Sequence, residues 1–247
     1  MMRLVPTLVF CGVLLGLSAV PGHAQDVAET ILPDRPGWGD GAHVLGLGVT
    51  QLEVGLEVSF GRDANLITVG QSLIRYGMSG FEIRVLPGSI VISDEDQGAV
   101  DPAVGLKVPL VHGDGPQVSA VLATTLPIGS DIFSARSTTG AATLIGEFAL
   151  TSELSLSLNA GYGFPFDDFD DGSIAIIVTP GLSINGVQGL SAYAGYAGFL
   201  MEDGNAHFIE AGLALASNAD TQLDLNWGMQ IDSRGWFLGA GVAHRWR

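Results

Sequence analysis

Residues 50–60 read TQLEVGLEVSF, and from Gln51 onward apolar residues alternate with polar residues or glycine. In an extended chain Leu52, Val54 and Leu56 point to one side, and Gln51 and Glu53 point to the other. A helix would repeat its apolar residues every three or four positions, which this stretch does not do. The stretch therefore predicts a β-strand with one apolar face and one polar face.

The same alternation recurs through the rest of the chain, most clearly at residues 154–164, 222–231 and 236–246. Gly, Pro, Asn and Asp clusters separate the alternating stretches. We place twelve strands, and ten or fourteen remain compatible with the pattern: 49–61, 65–76, 81–92, 101–111, 117–127, 138–150, 154–165, 173–184, 189–200, 206–216, 221–231 and 236–247.

The composition of the two strand faces indicates which of them meets water. The polar face is rich in Gly, Ser and Asn with isolated charges, whereas the apolar face is continuous and carries aromatic residues near its ends. A soluble barrel turns its large apolar side chains inward, but a membrane barrel turns them toward lipid around a polar interior. The pattern predicts an all-β fold, a transmembrane antiparallel up-and-down β-barrel in the outer membrane of a Gram-negative-type bacterium.

The connections between the strands fall into two alternating sets. Tight turns are expected at 77–80, 112–116, 151–153, 185–188 and 217–220, and longer or more acidic connections at 94–100, 127–136, 165–172 and 201–205. Short periplasmic turns that alternate with longer outer loops are typical of outer-membrane barrels. Both chain ends are therefore expected on the periplasmic side.

The first residues have the pattern of a secretory signal peptide. Arg3 is followed by an apolar run, then by Pro21-Gly22 and by Ala24 at the expected cleavage point. We therefore divide the chain into a cleaved leader at 1–24, an irregular segment at 25–48 and the barrel at 49–247. Residues 25–48 have no strand pattern, and either a plug inside the lumen or a loose periplasmic extension is compatible with them.

The chain has 26 acidic and 10 basic residues, a formal net charge of −16. Nucleic-acid binding needs clustered Lys and Arg, so nucleic acid is excluded as a partner. The single cysteine, Cys11, lies in the leader and leaves no thiol for a disulfide or a Cys-based metal site. We expect no cofactor. The expected partners are outer-membrane lipid and lipopolysaccharide, the barrel-assembly machinery and an unidentified small solute.

Several charged residues have inward parity in the predicted strands. Charges of both signs could pair across a hydrated lumen that conducts solutes, or they could only brace the barrel wall. The candidate lumen-lining residues are Glu53, Glu57, Arg75, Glu82, Arg84, Lys107, Glu147, Glu210, Asp224 and Arg245.

An acidic outer loop contains the weak metal candidates Asp167, Asp168, Asp170 and Asp171. Carboxylate oxygens suit Ca²⁺, but the spacing does not match an EF-hand loop. A solvated acidic loop, or one that contacts lipopolysaccharide through bridging cations, is the favoured interpretation, so no metal site is predicted.

Short motifs recur in a particular order along the chain: PDRPG at 33–37, QLEVG at 51–55, IRYG at 74–77, FEIR at 81–84, DP at 101–102, GLK at 105–107 and LPIG at 126–129. Together they resemble the outer-membrane transporter family labelled "putative MetA-pathway of phenol degradation". The resemblance covers most of the chain after the leader. It implies a barrel that moves small compounds, aromatic or hydrophobic ones among them, across the outer membrane.

The sequence thus favours a non-enzymatic channel or transporter that passes small solutes through its lumen. A structural barrel without transport is one alternative. A lipid-hydrolysing barrel with a Ser–His pair is another, but His43, His112, His207 and His244 stand in no recognisable catalytic order with a serine and an orienting residue.

Overall fold

The computed structural model describes residues 30–61, 65–168 and 171–247, so the predicted leader at 1–24 lies outside the described residues. Within these ranges no helix is long and apolar enough to cross a membrane. The strand segments are β1 Thr50–Phe60, β2 Asn65–Val69, β3 Leu73–Gly77, β4 Glu82–Leu86, β5 Ile90–Ser93, β6 Gln97–Ala99, β7 Ala103–Val111, β8 Gln117–Thr125, β9 Thr139–Ala149, β10 Leu154–Pro165, β11 Ser173–Ser183, β12 Leu190–Leu200, β13 Ala206–Asn218, β14 Thr221–Gln230 and β15 Trp236–Trp246.

All of these segments belong to one antiparallel sheet that closes on itself. The last strand, β15, pairs with β1 along its whole length, from Thr50 opposite Trp246 to Phe60 opposite Trp236. A closed sheet has no free edge, so its strands satisfy one another's backbone groups. Such closure is the condition for a β-structure to cross lipid.

Three strands of the barrel consist of two segments each: β2 with β3, β4 with β5, and β6 with β7, of which β6 lies outside the predicted strand 101–111. β2 and β3 both pair with β1. On their other side, β3 pairs with β4 and β2 pairs with β5. β4 and β5 pair on their other side with β7 and β6. When each of these pairs of segments is counted as one strand, the barrel has twelve strands, and the predicted number is confirmed.

Glycine and proline explain two of the interruptions. Gly70 has a φ of +73°, and the amides of Gly70 and Gln71 both donate to the carbonyl of Gly55, at 3.0 and 3.1 Å. Between β4 and β5, Pro87 has no N–H to donate, and Gly88 follows it with a φ of +93°. The regular pairing between β3 and β4 and between β2 and β5 is interrupted where these two points lie opposite each other.

Side chains are sorted inside-out, as predicted. Leu225 on β14 is 61% exposed and Trp246 on β15 is 50% exposed, whereas Glu53 on β1 and Lys107 on β7 are 0% exposed. The outward side chains form the apolar band that lipid covers, and the inward ones form a polar interior.

The two ends of the barrel differ in part as the connection lengths predicted. The connections 126–138 and 166–172 are long, but the predicted connection at 94–100 is wrong, because β6 forms there and leaves only residues 94–96 between strands. The end at which Thr50 pairs with Trp246 carries the short turns and is called the turn end here; the opposite end is called the loop end. The longest described connection, residues 126–138, lies at the loop end and folds around the carboxylate of Asp101. This carboxylate accepts from the amide of Gly129 at 2.7 Å, the hydroxyl of Ser134 at 3.0 Å and the amide of Ala135 at 2.8 Å.

Candidate functional site in the barrel interior

Residues 30–48, called the inner segment here, loop into the barrel from its turn end. The amide of Ile31 donates to the carbonyl of Ala219 in the turn between β13 and β14, at 2.8 Å. The segment leaves beside β3, where the amide of Gly48 donates to the carbonyl of Gly77 at 2.9 Å. Between these points it contacts strands on every side, which a short segment can do only inside the lumen. The described residues of the segment therefore lie inside the barrel.

The wall binds the backbone of the inner segment through inward-facing acceptors. Glu53 on β1 accepts from the amides of Asp34 at 3.2 Å and Arg35 at 2.9 Å. Four further wall side chains each accept one backbone N–H of the segment, at 2.8–3.0 Å. Three are carboxylates, on β13, β9 and β4, and the fourth is an amide oxygen on β10. These pairs are Trp38 to Glu210, Ala42 to Glu147, Leu45 to Glu82 and Asp40 to Asn159. Carboxylates that accept from backbone N–H groups make strong, charge-assisted hydrogen bonds.

The side chain of Asp34 lies among three cations of the wall. Lys107 Nζ is 2.9 Å from Oδ1 and 3.0 Å from Oδ2, and Arg84 Nη1 donates to Oδ2. Arg75 Nη1 lies 3.5 Å from Oδ2. The four side chains are at most 4% exposed, so the cluster is shielded from water.

Arg75 also has two carboxylate partners on the wall. Its Nε and Nη2 donate to the two oxygens of Glu82, at 2.7 and 2.9 Å, and its Nη1 donates to Glu53 Oε1 at 3.1 Å. The fork-shaped pairing with Glu82 fixes the guanidinium in one orientation. Arg75 is thus held in place by the wall even without Asp34.

Burial by itself raises the pKa of Asp34, but Arg75, Lys107 and Arg84 outweigh it and hold that pKa well below its usual range. The carboxylate is therefore ionised throughout the physiological pH range. Removing one partner of a buried ion cluster leaves an uncompensated charge and costs roughly 3–5 kcal/mol. Asp34 is accordingly the principal electrostatic anchor of the inner segment.

Arg35 lies flat against the opposite part of the wall. Its Nη2 is 3.2 Å from Asp224 Oδ1 on β14. A Cβ added at Gly55 or at Gly241 would lie 2.3 or 2.4 Å from the guanidinium. A side chain at either position would force the guanidinium to move, so these two positions on β1 and β15 form the contact surface of Arg35.

The tip of the segment packs in an aromatic cluster near the loop end. The ring of Trp38 lies 5.5 Å from that of Phe199, 4.9 Å from that of Phe208 and 6.0 Å from that of Phe237. These phenylalanines project inward from β12, β13 and β15. The cluster closes one side of the lumen with apolar surface.

The remaining free volume beside the tip is small. Asn159 makes reciprocal bonds with Asp40, whose carbonyl accepts from Asn159 Nδ2 at 3.0 Å. A cavity of about 30 Å³ lies between the segment and β9–β12, lined in part by Trp38, Thr143 and Ser173. One buried water needs roughly 10–15 Å³ on this measure, so the cavity holds only a few.

The structure brings together eight of the ten predicted lumen-lining residues around the inner segment. These are Glu53, Arg75, Glu82, Arg84, Lys107, Glu147, Glu210 and Asp224. The carboxylate of Glu57 instead accepts hydrogen bonds from the hydroxyl of Ser59 and the side-chain amide of Gln71 on the wall. Arg245 lies at the turn end, where its Nε is 3.0 Å from Asp220 Oδ1.

Sequence reasoning missed the functional residues of the inner segment itself. Asp34, Arg35, Trp38 and Asp40 were not among the candidates, and neither was Asn159. A usable signal was present, because the PDRPG motif at 33–37 belongs to the same ordered set as the motifs that supply Glu53, Arg75, Glu82, Arg84 and Lys107. In the fold these separate motifs meet at Asp34.

The weak metal candidates Asp167, Asp168 and Asp171 lie in the loop after β10, and Asp170 falls outside the described residues. In the part of the chain that the structure describes, no three His, Cys, Asp or Glu side chains are grouped to hold a metal ion.

The side chains of two histidines point outward from the barrel. His207 Nδ1 is 2.8 Å from Tyr196 Oη, and His244 Nδ1 is 2.9 Å from Thr221 Oγ1. His43 belongs to the inner segment, and its carbonyl accepts from Arg75 Nη2 at 3.0 Å.

Solved structures with a similar fold are outer-membrane channels and porins. The COG4313 outer membrane channel from Pseudomonas putida F1 has a TM-score of 0.65 at 13% identity, over 91% of this chain and 100% of that one. The KdgM porin in complex with disordered oligogalacturonate has a TM-score of 0.60 at 11% identity, over 80% and 99%. The NanC porin has a TM-score of 0.59 at 12% identity, over 78% and 98%. At these identities the similarity establishes the fold alone.

No protein of curated function matches this sequence. A family model described as "Putative MetA-pathway of phenol degradation" matches residues 33–246, from the inner segment to the end of β15. The match confirms the resemblance that the ordered motifs indicated. This outer-membrane β-barrel therefore belongs to the family described as the "Putative MetA-pathway of phenol degradation".

Proposed function

We propose that this protein is an outer-membrane channel for small solutes, and that the inner segment limits what can pass. The observation that carries the proposal is the lumen itself, which is polar, closed to lipid and occupied by a segment bound through hydrogen bonds and ion pairs. Such contacts can be exchanged for water or solute. A barrel that served only as a scaffold would not need a lumen occupied by a segment that is held through such polar contacts.

The finer part of the proposal concerns the solutes. Aromatic or hydrophobic compounds are favoured by the family description and by the aromatic cluster around Trp38 at the loop end. A planar solute entering from outside would meet this cluster next to the hydroxyl and amide groups of Thr143, Asn159 and Ser173. Apolar surface with a few placed polar groups is typical of small-molecule sites. The present cavity of about 30 Å³ admits no such solute, so we expect one to reach the cluster only when the inner segment moves.

The charge of the lumen predicts its resting ion preference. Glu57, Glu147 and Glu210 bond to hydroxyl and N–H groups of the wall and the segment. These carboxylates have no cation within ion-pair distance among the described residues. Carboxylates without a counter-cation attract cations along a narrow path when they are ionised. We therefore expect a small, cation-favouring conductance.

The test is conductance of the refolded protein in planar bilayers, combined with liposome swelling in sugars, amino acids and aromatic acids. A variant lacking residues 26–46 should conduct several-fold more than the full chain if the inner segment limits flux. Folding of both proteins is checked by heat-modifiable migration in gels. A folded full chain and a folded deletion variant that both pass neither ions nor solutes would leave only the structural role.

A further inference from the structure

Two inward cations of the wall depend on the inner segment for their anionic partners. Lys107 Nζ donates to both oxygens of the Asp34 carboxylate, at 2.9 and 3.0 Å. Arg84 donates to Asp34 and, through Nη2, to Asp40 at 2.8 Å. The nearest wall carboxylate to Arg84, that of Glu82, is 3.4 Å away.

The dependence follows from how the wall charges are already matched. Glu82 and Glu53 are engaged by Arg75, which binds both oxygens of Glu82 and one of Glu53. Among the wall groups that take part in these ion pairs, the cluster therefore has three cations, Arg75, Arg84 and Lys107, and two carboxylates. Arg84 and Lys107 are at most 1% exposed, so a missing anion would leave a buried positive charge, which is costly.

We propose that Arg84 and Lys107 form a binding site for a carboxylate-bearing solute. In the structure the side-chain carboxylate of Asp34, which belongs to the same chain, occupies this site. The carboxylate of Asp34 shows the binding geometry, with the ammonium of Lys107 on both oxygens and the guanidinium of Arg84 on one. A solute carboxylate in this position would remove the main electrostatic anchor of the inner segment. This consequence rests on the proposed channel function, whereas the binding itself does not.

The site is local, because the rest of the lumen is acidic. Glu210 lies on β13, six strands round the barrel from β7, whereas Arg84 and Lys107 lie on the adjacent strands β4 and β7. Glu147 on β9 is the nearest further carboxylate of the wall, and the amide of Ala42 donates to it at 2.9 Å. An anion is therefore attracted only where Arg84 and Lys107 are within reach. A neutral or cationic solute of the same shape gains nothing from this pair.

Competition with Asp34 sets the expected affinity. A tethered carboxylate acts at a high effective concentration, so a free carboxylate binds the natural chain weakly. In Asp34→Asn the competitor is neutral while its size is kept. We expect benzoate to bind the folded Asp34→Asn chain at least ten times more tightly than the natural chain.

The experiment is isothermal titration calorimetry of the refolded full chain in detergent, with benzoate as the probe. Benzyl alcohol and benzylammonium, which have the same ring, are the matched controls and should not show the gain. Adding Lys107→Gln to Asp34→Asn should abolish it. Lys107→Gln alone, compared with the natural chain, provides a second reading should Asp34→Asn fail to fold, and it should bind benzoate at least several-fold more weakly.

Equal benzoate affinity in the natural, Asp34→Asn and Lys107→Gln chains would overturn the proposal, as would equal binding of benzyl alcohol. Conductance measured in parallel separates the two proposals. Benzoate binding with the expected variant pattern but without any conductance would reject the channel and retain the carboxylate site.

Discussion

Gly55 and Gly241 show how single residues of the wall accommodate the inner segment. Both face inward, and the guanidinium of Arg35 occupies the space in which their side chains would stand. Gly77 has the same role at the turn end, because an added Cβ would overlap the carbonyl of Gly46. These glycines are selected by close approach of another chain segment, which strand propensity alone would not predict.

We expect Gly55→Ala and Gly241→Ala to displace Arg35 from the wall. Overpacking of this kind costs roughly 1–3 kcal/mol, so the segment should loosen and the conductance should rise. Gly161→Ala is the control, since its Cβ would lie 2.8 Å from Thr143 on the wall rather than against the segment. Planar-bilayer recordings check this. A larger effect from Gly161→Ala than from the other two would contradict it.

His43 gives the inner segment a dependence on pH. Burial, with help from Arg75 and Lys107, lowers its pKa from 6.5 to about 4. The docked segment therefore holds neutral His43, and docking is weakened as pH falls from about 6.5 toward 4. The loss reaches on the order of 3 kcal/mol at the acid end, since one pKa unit corresponds to about 1.4 kcal/mol.

Conductance should accordingly rise between pH 7 and pH 5 in the natural chain, and this rise should be smaller in His43→Gln. Asp34 does not add to the change, because its pKa lies far below this window. An identical pH response in the natural chain and in His43→Gln would assign the effect to other groups.

At the scale of elements, the inner segment behaves as a ligand of the strands. It has no strand partner of its own within the lumen, and its amides are satisfied by side chains of β1, β4, β9, β10 and β13. Its binding therefore depends on many weak and a few strong contacts spread around the wall. Such binding does not require a covalent connection to β1.

Cutting the folded chain between Leu47 and Gly48 tests this independence. Leu47 is 68% exposed, and a protease site inserted here should be accessible. We expect the cleaved segment to remain with the barrel in gel filtration in detergent, and to dissociate when Asp34→Asn and Trp38→Ala are combined. Trp→Ala in a packed site alone costs roughly 3–5 kcal/mol. Immediate loss of the segment from the natural chain would show that the tether maintains docking.

At the scale of the whole molecule, the barrel is stable in lipid because its two faces have opposite polarity. Adjacent residues on β10 illustrate this. Leu158 points outward and is 37% exposed, while Ser157 points inward, where its hydroxyl accepts from Asn159 Nδ2 at 3.3 Å. The outer face meets hydrocarbon and the inner face meets water and the inner segment.

Arginine at these two neighbouring positions should therefore have different effects. Leu158→Arg places a charge in lipid near mid-strand and should lower the free energy of unfolding by about 2–4 kcal/mol. Ser157→Arg should cost much less, because its charge reaches the hydrated interior. Urea unfolding in phospholipid vesicles measures both, and equal losses would argue against the inside-out arrangement.

The alternation at residues 50–60 and in the later strands was enough to predict the barrel, a count of twelve strands with ten or fourteen still compatible, and the inward direction of Glu53, Arg75, Arg84 and Lys107. Side-chain direction in a strand has a period of two, which is a local property that sequence records directly. The exact bounds were less accurate where Gly and Pro divide a strand, as at Gly70 and Pro87, because there the neighbouring strands decide how pairing continues.

Only the tertiary structure decided what the inward charges bind. The inner segment has no periodicity, and its contacts join residues far apart in sequence, such as Arg35 and Asp224. Whether such a segment docks or hangs free depends on a sum of buried ion pairs, backbone hydrogen bonds and ring contacts that exists only after the barrel has closed. The sequence pattern thus predicted the barrel wall, and closure of the sheet brought Asp34 to the cations that bind it.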